Sequence, residues 1–267
     1  MHDLNLYLTA LPWLLAGMSL IWALSLVLKD ASIIDPVWPV AFFAACWVYV
    51  QPTLAGEGMA GEGGNLGARQ WFVLGSVGLW TLRLCGYLTW RKWGEPEDRR
   101  YTAMRAGQPR FWIRSLFMIF WLQAVLAWII SLPMFGALAG PGGPWGVLDS
   151  LALVLFAIGF LFEALGDWQL LRFKHDPKNR GQVMDRGLWR YTRHPNYFGN
   201  FCMNWAWYLA ACAVGAWWSL PGPLLISFLL LKFSGVTMLE KDIAERRPGY
   251  VEYIRRTNTF FPGPRRA

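Results

Sequence analysis

The run RYTRHPNYFGN, Arg190 to Asn200, gathers arginine, histidine, asparagine and tyrosine side chains between two long apolar stretches. A loop at a membrane edge needs only charge and an aromatic anchor. This one adds His194, the fixed backbone of Pro195, Asn196, and Gly199, which lets a backbone approach something closely. The set suits a bound nucleotide: arginines for phosphates, asparagine for an amide or ribose hydroxyl, and Tyr191 or Tyr197 as a face for rings. Upstream, Glu163 and Asp167 are four residues apart, so a helix there carries both carboxylates on one face.

Other ionisable groups also interrupt apolar runs, namely Asp35, Arg83, Lys232 and Glu240, with Gln123, Gln169 and Asn204 as uncharged companions. Placing a charge inside hydrocarbon costs roughly 2.5–3.5 kcal/mol on insertion scales, which makes each of these a functional candidate. Asp167 also has a plainer reading, as the ion-pair partner of Arg172 or of a loop arginine. His2, His175 and His194 show no i, i+4 partnership and no carboxylate cluster, so no metal site is expected. Cys46, Cys85, Cys202 and Cys212 lie in apolar stretches without a CxxC pair and read as packed thiols.

The elements that must position these groups are set by composition. The chain has 267 residues, 55% hydrophobic and 16% charged, with 18 tryptophans, a balance that excludes an ordinary soluble enzyme. No cleavable leader is expected, because the first residues lack a basic region and the apolar run continues past the length of a signal core. A hydrocarbon layer of about 30 Å takes about 20 residues of helix. Candidates are Leu6–Leu28, Ile33–Val50, Trp71–Trp90, Ser115–Leu138, Leu151–Leu171, Phe201–Trp218 and Pro223–Leu239. The fold expected is therefore all-α, a single integral membrane domain over 1–267 with seven spans. Residues 1–139 form its substrate side and residues 151–267 its cofactor half. Pro36 and Pro39 are expected to kink the second span or start it late.

Arginine and lysine crowd the segments after the third and fifth spans and the carboxyl tail, whereas Arg69 alone occupies the segments after the second, fourth and sixth. Basic short loops stay cytoplasmic. The amino terminus is thus expected outside and the tail inside, in a bacterial inner membrane. GEGMAG, Gly56 to Gly61, matches a dinucleotide-binding turn formally, but no strand precedes it, no helix opens on it and it falls on the outer face, so it reads as a flexible loop.

GLWRYTRHPNYFGN, Gly187 to Asn200, followed by a span and by EKDIAERRPGYVEYIRRTNTFFPG, Glu240 to Gly263, resembles the carboxyl-terminal half of the membrane steroid 5α-reductase family, in its bacterial branch. That superfamily also holds sterol Δ14 and Δ7 reductases and isoprenylcysteine carboxyl methyltransferases. The resemblance covers Leu161 to Pro262, and GEPEDRRYTAMR, Gly94 to Arg105, looks like the same branch. It implies a seven-span enzyme that takes NADPH from the cytoplasmic side and a steroid-like or lipid enone from the bilayer. Carried over, Asp167, Arg172, Lys174, Tyr191, Arg193, His194 and Asn196 surround the cofactor, with Glu163, Tyr197, Asn200 and Glu240 beside them and Arg99 and Arg100 at its phosphates. The family usually has Glu where this chain has Asn200, a departure that removes a charge near the cofactor.

The implied reaction delivers hydride to the β-carbon of an α,β-unsaturated ketone and needs a proton donor where charge builds on the carbonyl oxygen. The family uses a tyrosine with a nearby acid. Tyr87 in the third span and Asp35 in the second are the candidates here, and Tyr87 has a plainer reading as an interfacial anchor. Two rivals remain: a methyltransferase of the isoprenylcysteine type, holding S-adenosylmethionine with Glu240 orienting substrate, and a non-catalytic sterol or lipid sensor. The density of cations from Asp167 to Arg193 favours a cofactor that carries phosphates. Nothing points to a nucleic-acid partner, and the sequence leaves the oligomeric state open.

Overall fold

A computed structural model describes residues 4–56, 65–233 and 249–266 of the chain. Most of the Gly56–Gly61 loop, the end of the seventh expected span, and Glu240 with the neighbouring tail cations lie outside the described residues. Every regular element among the described residues is helical. Among them, five helical stretches are long and apolar enough to cross a membrane: Leu4–Leu28, Ala31–Leu54, Ala68–Lys92, Phe111–Ile130 and Val147–His175. The chain forms two compact units, residues 1–146 with 210–222 and residues 147–209 with 223–267.

In the first unit α1 is Leu4–Leu28, α2 is Ile34–Leu54, α3 is Ala68–Lys92 and α4 is the short Arg99–Ala106. Asp30 caps the turn before α2 by accepting from the Ser32 amide at 2.8 Å. Pro36 therefore falls in the first turn of α2, where its missing N–H has no helical partner to lose. Pro39 sits inside the helix, and its carbonyl accepts the Thr81 hydroxyl of α3 at 3.0 Å. α2 and α3 lie close together: a Cβ on Gly78 would come 3.1 Å from Phe43, and Trp38, Phe42 and Trp80 meet edge to face.

The fourth expected span, Ser115–Leu138, is not one unbroken helix. α5 is Phe111–Ile130, with a wide π-type turn at Leu116–Trp121, and α6 is a separate helix at Leu132–Leu138. The division comes at Pro133, which cannot donate to the turn before it. Gly222 fills the gap, since a Cβ there would meet the Pro133 ring at 2.7 Å and the Ile130 carbonyl at 2.9 Å.

In the second unit α7 is Val147–His175, longer at both ends than Leu151–Leu171. The sixth expected span, Phe201–Trp218, is displaced towards the amino end: α8 is Pro195–Cys212. The proline starts it, because its fixed φ suits the first helical turn and its absent N–H costs nothing there. Hence Pro195 to Asn200, expected as loop, are helical. At the far end the chain turns through Gly215, whose φ of +77° favours glycine, and Trp217–Ser219 forms a 3-10 turn. α9 is Pro221–Phe228, extended by a π-type turn at Leu229–Phe233, and α10 is the amphipathic Gly249–Arg256.

Candidate functional site

In the second unit, glycines bring two backbones together before any polar group is considered. A Cβ on Gly159 of α7 would come 2.6 Å from the Gly199 carbonyl of α8, and one on Gly166 would meet the Pro195 ring at 3.1 Å. Small residues at such a crossing let membrane helices approach to backbone contact. The i, i+4 face expected for Glu163 and Asp167 then meets an i, i+4 face of asparagines running the other way. Asn196 Nδ2 donates to Asp167 Oδ1 at 3.1 Å, and Asn200 Nδ2 donates to Glu163 Oε1 at 3.3 Å. Asn204 continues the row, donating to the Asn200 side-chain oxygen at 3.2 Å. Glu163, Asp167, Asn200 and Asn204 are all buried.

This pairing accounts for the asparagine at 200. A carboxylate there would face Glu163 across a hydrogen-bond distance, and two charged carboxylates at that separation repel.

The segment before α8 is tied to α7 on one side and to the tail on the other. Trp189 Nε1 donates to the Gly166 carbonyl at 3.0 Å, and the Leu188 amide donates to Gln169 Oε1 at 2.9 Å. Gly187, with φ of +57°, passes so close to Gln169 that a Cβ would clash at 2.5 Å. On the tail side the Tyr253 hydroxyl donates to the Trp189 carbonyl at 2.6 Å and the Thr192 hydroxyl to the Phe260 carbonyl at 2.7 Å. Burial pushes the Tyr253 phenol well above its ordinary range, so it remains a donor.

Arg193 is expected from its motif to bind phosphate. Instead its buried guanidinium donates to the Ile254 and Thr257 carbonyls at 3.0 and 2.7 Å and to the Thr259 hydroxyl at 2.9 Å, while its amide donates to the Asn258 carbonyl at 2.9 Å. These groups follow or end α10, where carbonyls are left without helical partners. His194 is buried and its ring lies parallel to that of Tyr197, 5.5 Å between centroids and 4° apart in plane. Arg172, Lys174, Arg190 and Tyr191 are exposed, and the Arg172 guanidinium lies 5.0 Å from the Trp168 ring. Arg172 and Lys174 at the end of α7 and Arg190 in the segment before α8 are exposed and have the charge to hold an anionic group, whereas Arg193 is spent on the tail and positions the segment that carries His194 and Asn196.

The first unit holds a second polar cluster. Asp35 Oδ1 accepts the Tyr101 hydroxyl at 2.7 Å and Asp35 Oδ2 accepts Arg100 at 2.8 Å. Tyr101 is buried, and burial together with the neighbouring Asp35 charge raises its phenol far above the usual range. Asp98 caps α4 and also binds Arg100, its side chain accepting the Arg100 amide and Nε at 3.0 Å. Glu97 takes Arg105 in a fork, at 2.7 and 3.1 Å, and accepts the Ala31 amide at 2.8 Å. Lys92 reaches Asp30 at 3.3 Å. Arg99 is exposed.

Tyr87 lies between two cations of its own helix, with the Arg83 and Arg91 guanidinium carbons 5.9 and 5.3 Å from its ring centre. A tyrosine that touches Asp35 is Tyr101, which the sequence reading passed over. Its signal was available: Asp98 followed by Arg99, Arg100 and Tyr101 is a helix start, and a first-turn tyrosine there lies against whatever the cap packs on.

A family model described as "Protein of unknown function (DUF1295)" matches residues 21–257. An uncharacterised protein of Schizosaccharomyces pombe is 29% identical over 273 residues, covering 91% of this chain and 76% of its own length. No solved structure matches the chain.

Proposed function

We propose a function from one premise: the chain belongs to the DUF1295 family, membrane proteins related to the steroid 5α-reductases. On that footing it is a membrane reductase that saturates the C=C bond of a 3-oxo steroid or similar lipid enone at the expense of NADPH. Its α8 and α9 act as sixth and seventh spans, its amino terminus is outside, and its cofactor residues face the cytoplasm of a bacterial inner membrane.

One observation carries the reading: the buried phenol of Tyr101 held at 2.7 Å by Asp35. Reduction of an enone places negative charge on the carbonyl oxygen, and a preorganised donor there lowers the barrier. NADPH, when bound, supplies the hydride. Tyr101 stays protonated because its phenol is raised, so it presents an O–H and not a phenolate. The Tyr101 O–H, held by Asp35 in the structure, would turn to the substrate oxygen and hydrogen-bond the charge that builds there. Arg100, on the other Asp35 oxygen, fixes the carboxyl's orientation through the cycle.

The test is incubation of purified protein with NADPH and 3-oxo-Δ4 steroids, read by mass for a product two hydrogens heavier. Tyr101→Phe is expected to lower turnover by about a hundredfold with NADPH affinity unchanged, the scale of a lost general acid. Full turnover in Tyr101→Phe with a loss in Tyr87→Phe returns the role to Tyr87. Binding of S-adenosylmethionine without NADPH replaces the reductase by a methyltransferase, and silence across both cofactors leaves a lipid sensor.

A further inference from the structure

Past α10 the chain folds back on itself and sets cations beside an exposed aromatic ring. α10 docks through Tyr250 and Tyr253, and Thr257 continues their i, i+3, i+7 spacing; all three are buried. The opposite face carries Val251, Arg255 and Arg256, all exposed. Glu252 pairs with both arginines, with Arg255 at 2.8 Å, and a single carboxylate leaves the pair with a net positive charge. Arg266 then returns to the same place, its amide donating to the Arg256 carbonyl at 2.9 Å. Its exposed guanidinium meets the neutral side chain of Asn258 at 3.4 Å. Arg265, by contrast, is taken up by Asp185 at 2.7 Å.

Between these cations the strap crosses the start of α8. The Phe261 ring lies 6.1 and 5.8 Å from those of Phe198 and Phe201, in the first two turns of that helix, and it stays 60% exposed. A large apolar ring left uncovered at the depth where a span begins is solvated by lipid, and arginines a few residues away then lie among headgroups.

We propose that Arg255, Arg256 and Arg266, with Phe261 as apolar anchor, form a docking surface for an anionic phospholipid of the leaflet in which α8 begins. A soluble anion matches the charges and leaves Phe261 uncovered, whereas a lipid satisfies both. Arg193 fastens the same strap from the inside, so lipid and arginine hold the tail from its two sides. The inference rests on the proposed crossing of the bilayer by α8 and is independent of the cofactor.

The test is limited proteolysis of the full chain in lipid nanodiscs, one set of phosphatidylcholine and one with phosphatidylglycerol added, following cleavage in the tail after Tyr253. Anionic lipid is expected to slow cleavage about tenfold, since each arginine near the surface gains from its potential, and raised salt to remove the difference. Arg256→Gln combined with Arg266→Gln should cleave at nearly one rate in both lipids. Arg180→Gln combined with Arg186→Gln, which removes two other exposed cations of this unit, should keep the full difference. Equal rates for the unmodified protein overturn the proposal, as does a difference that survives Arg256→Gln with Arg266→Gln. So does an equal loss in the Arg180 and Arg186 variant, since the effect would then belong to the general charge of this face. Protection by inorganic phosphate in phosphatidylcholine discs makes this a soluble-anion site and overturns the lipid. A phosphatidylglycerol with a diazirine in its acyl chain should crosslink within residues 257–263. No crosslink there overturns the placement of α8 and this inference with it, whereas a crosslink with equal cleavage in the two lipids overturns the inference alone.

Discussion

The two polar clusters are made of similar residues and solve the burial of charge in opposite ways. In the first unit carboxylates meet cations: Asp35 with Arg100, Glu97 with Arg105, Asp30 with Lys92. The cations stay partly in solvent, the Arg100 side chain being 57% exposed. In the second unit the α7–α8 row sets carboxylates against amides and Arg193 meets backbone carbonyls, with Glu163, Asp167, Asn200 and Arg193 buried, while the ion pairs of Asp185 and Glu252 lie apart from that row. Ion pairs that keep contact with water contribute little each and are screened by salt. Buried hydrogen bonds depend on shape, and an orphaned partner is costly. The second unit is thus expected to be sensitive to geometry and the first to pH.

The largest effect tests geometry without touching charge. Gly199→Ala adds one methyl group where the Gly159 carbonyl and the Glu163 backbone and Cβ already occupy the space. Separating the two helices to make room would stretch the asparagine hydrogen bonds of the same face, already 3.1 and 3.3 Å long. A loss of about 3 kcal/mol is expected, at the upper end for overpacking, read from chemical unfolding in detergent. A loss below about 1 kcal/mol, the range of an ordinary surface change, would mean the crossing is looser than described.

Arg193→Met keeps much of the side-chain length and deletes the donors. It leaves the Ile254 and Thr257 carbonyls and the Thr259 hydroxyl without their arginine partner. The expected cost is about 2–3 kcal/mol, the scale of buried groups left unsatisfied. Limited proteolysis should find the tail after Tyr253 cleaved first. A direct phosphate role for Arg193 would instead show as lost NADPH affinity with an undisturbed tail, and would reverse the assignment made from geometry.

That reversal is instructive about legibility. The helical class and the shared face of Glu163 and Asp167 could be read from hydropathy and i, i+4 spacing, because both are local. The partners of Arg193 could not, since they lie about sixty residues further on and only folding brings them to it. The motif drew attention to Arg193 without showing that its guanidinium meets the tail carbonyls. The asparagine row was hidden for the same reason: Asn200 read as a lost charge until Glu163 was found opposite it. The break at Pro133 was masked by apolar residues on both sides, which keep hydropathy high while the missing N–H interrupts the helix. Tyr101 was overlooked because its neighbours are cations, and a cation-rich segment reads as loop.

The smallest effect sharpens the other half of the comparison. Partial burial acts to raise Asp30, Glu97 and Asp98. Their hydrogen bonds outweigh it, from Ser32 at Asp30, from Arg105 and the Ala31 amide at Glu97, and from Arg100 at Asp98, and they hold all three below the usual carboxylate range. A carboxylate with a depressed pKa in the folded state stabilises fully above its unfolded value, about 4 for these groups. That contribution is lost as pH falls through the folded value. The first unit should therefore loosen in acid, below about pH 4, through the segment from Lys92 to Ala106 that these carboxylates anchor. Because the side chains are partly exposed, each group contributes less than about 1 kcal/mol. Hydrogen exchange at pH 6 and pH 3, corrected for intrinsic rates, should show lost protection in α4 while α7 and α8 hold theirs. Glu97→Gln should shrink that acid response, since a neutral amide at 97 has no proton to take up. Equal acid responses in α4 and α8, or an unchanged response in Glu97→Gln, would remove the distinction between a cluster held by ion pairs and a row held by buried hydrogen bonds.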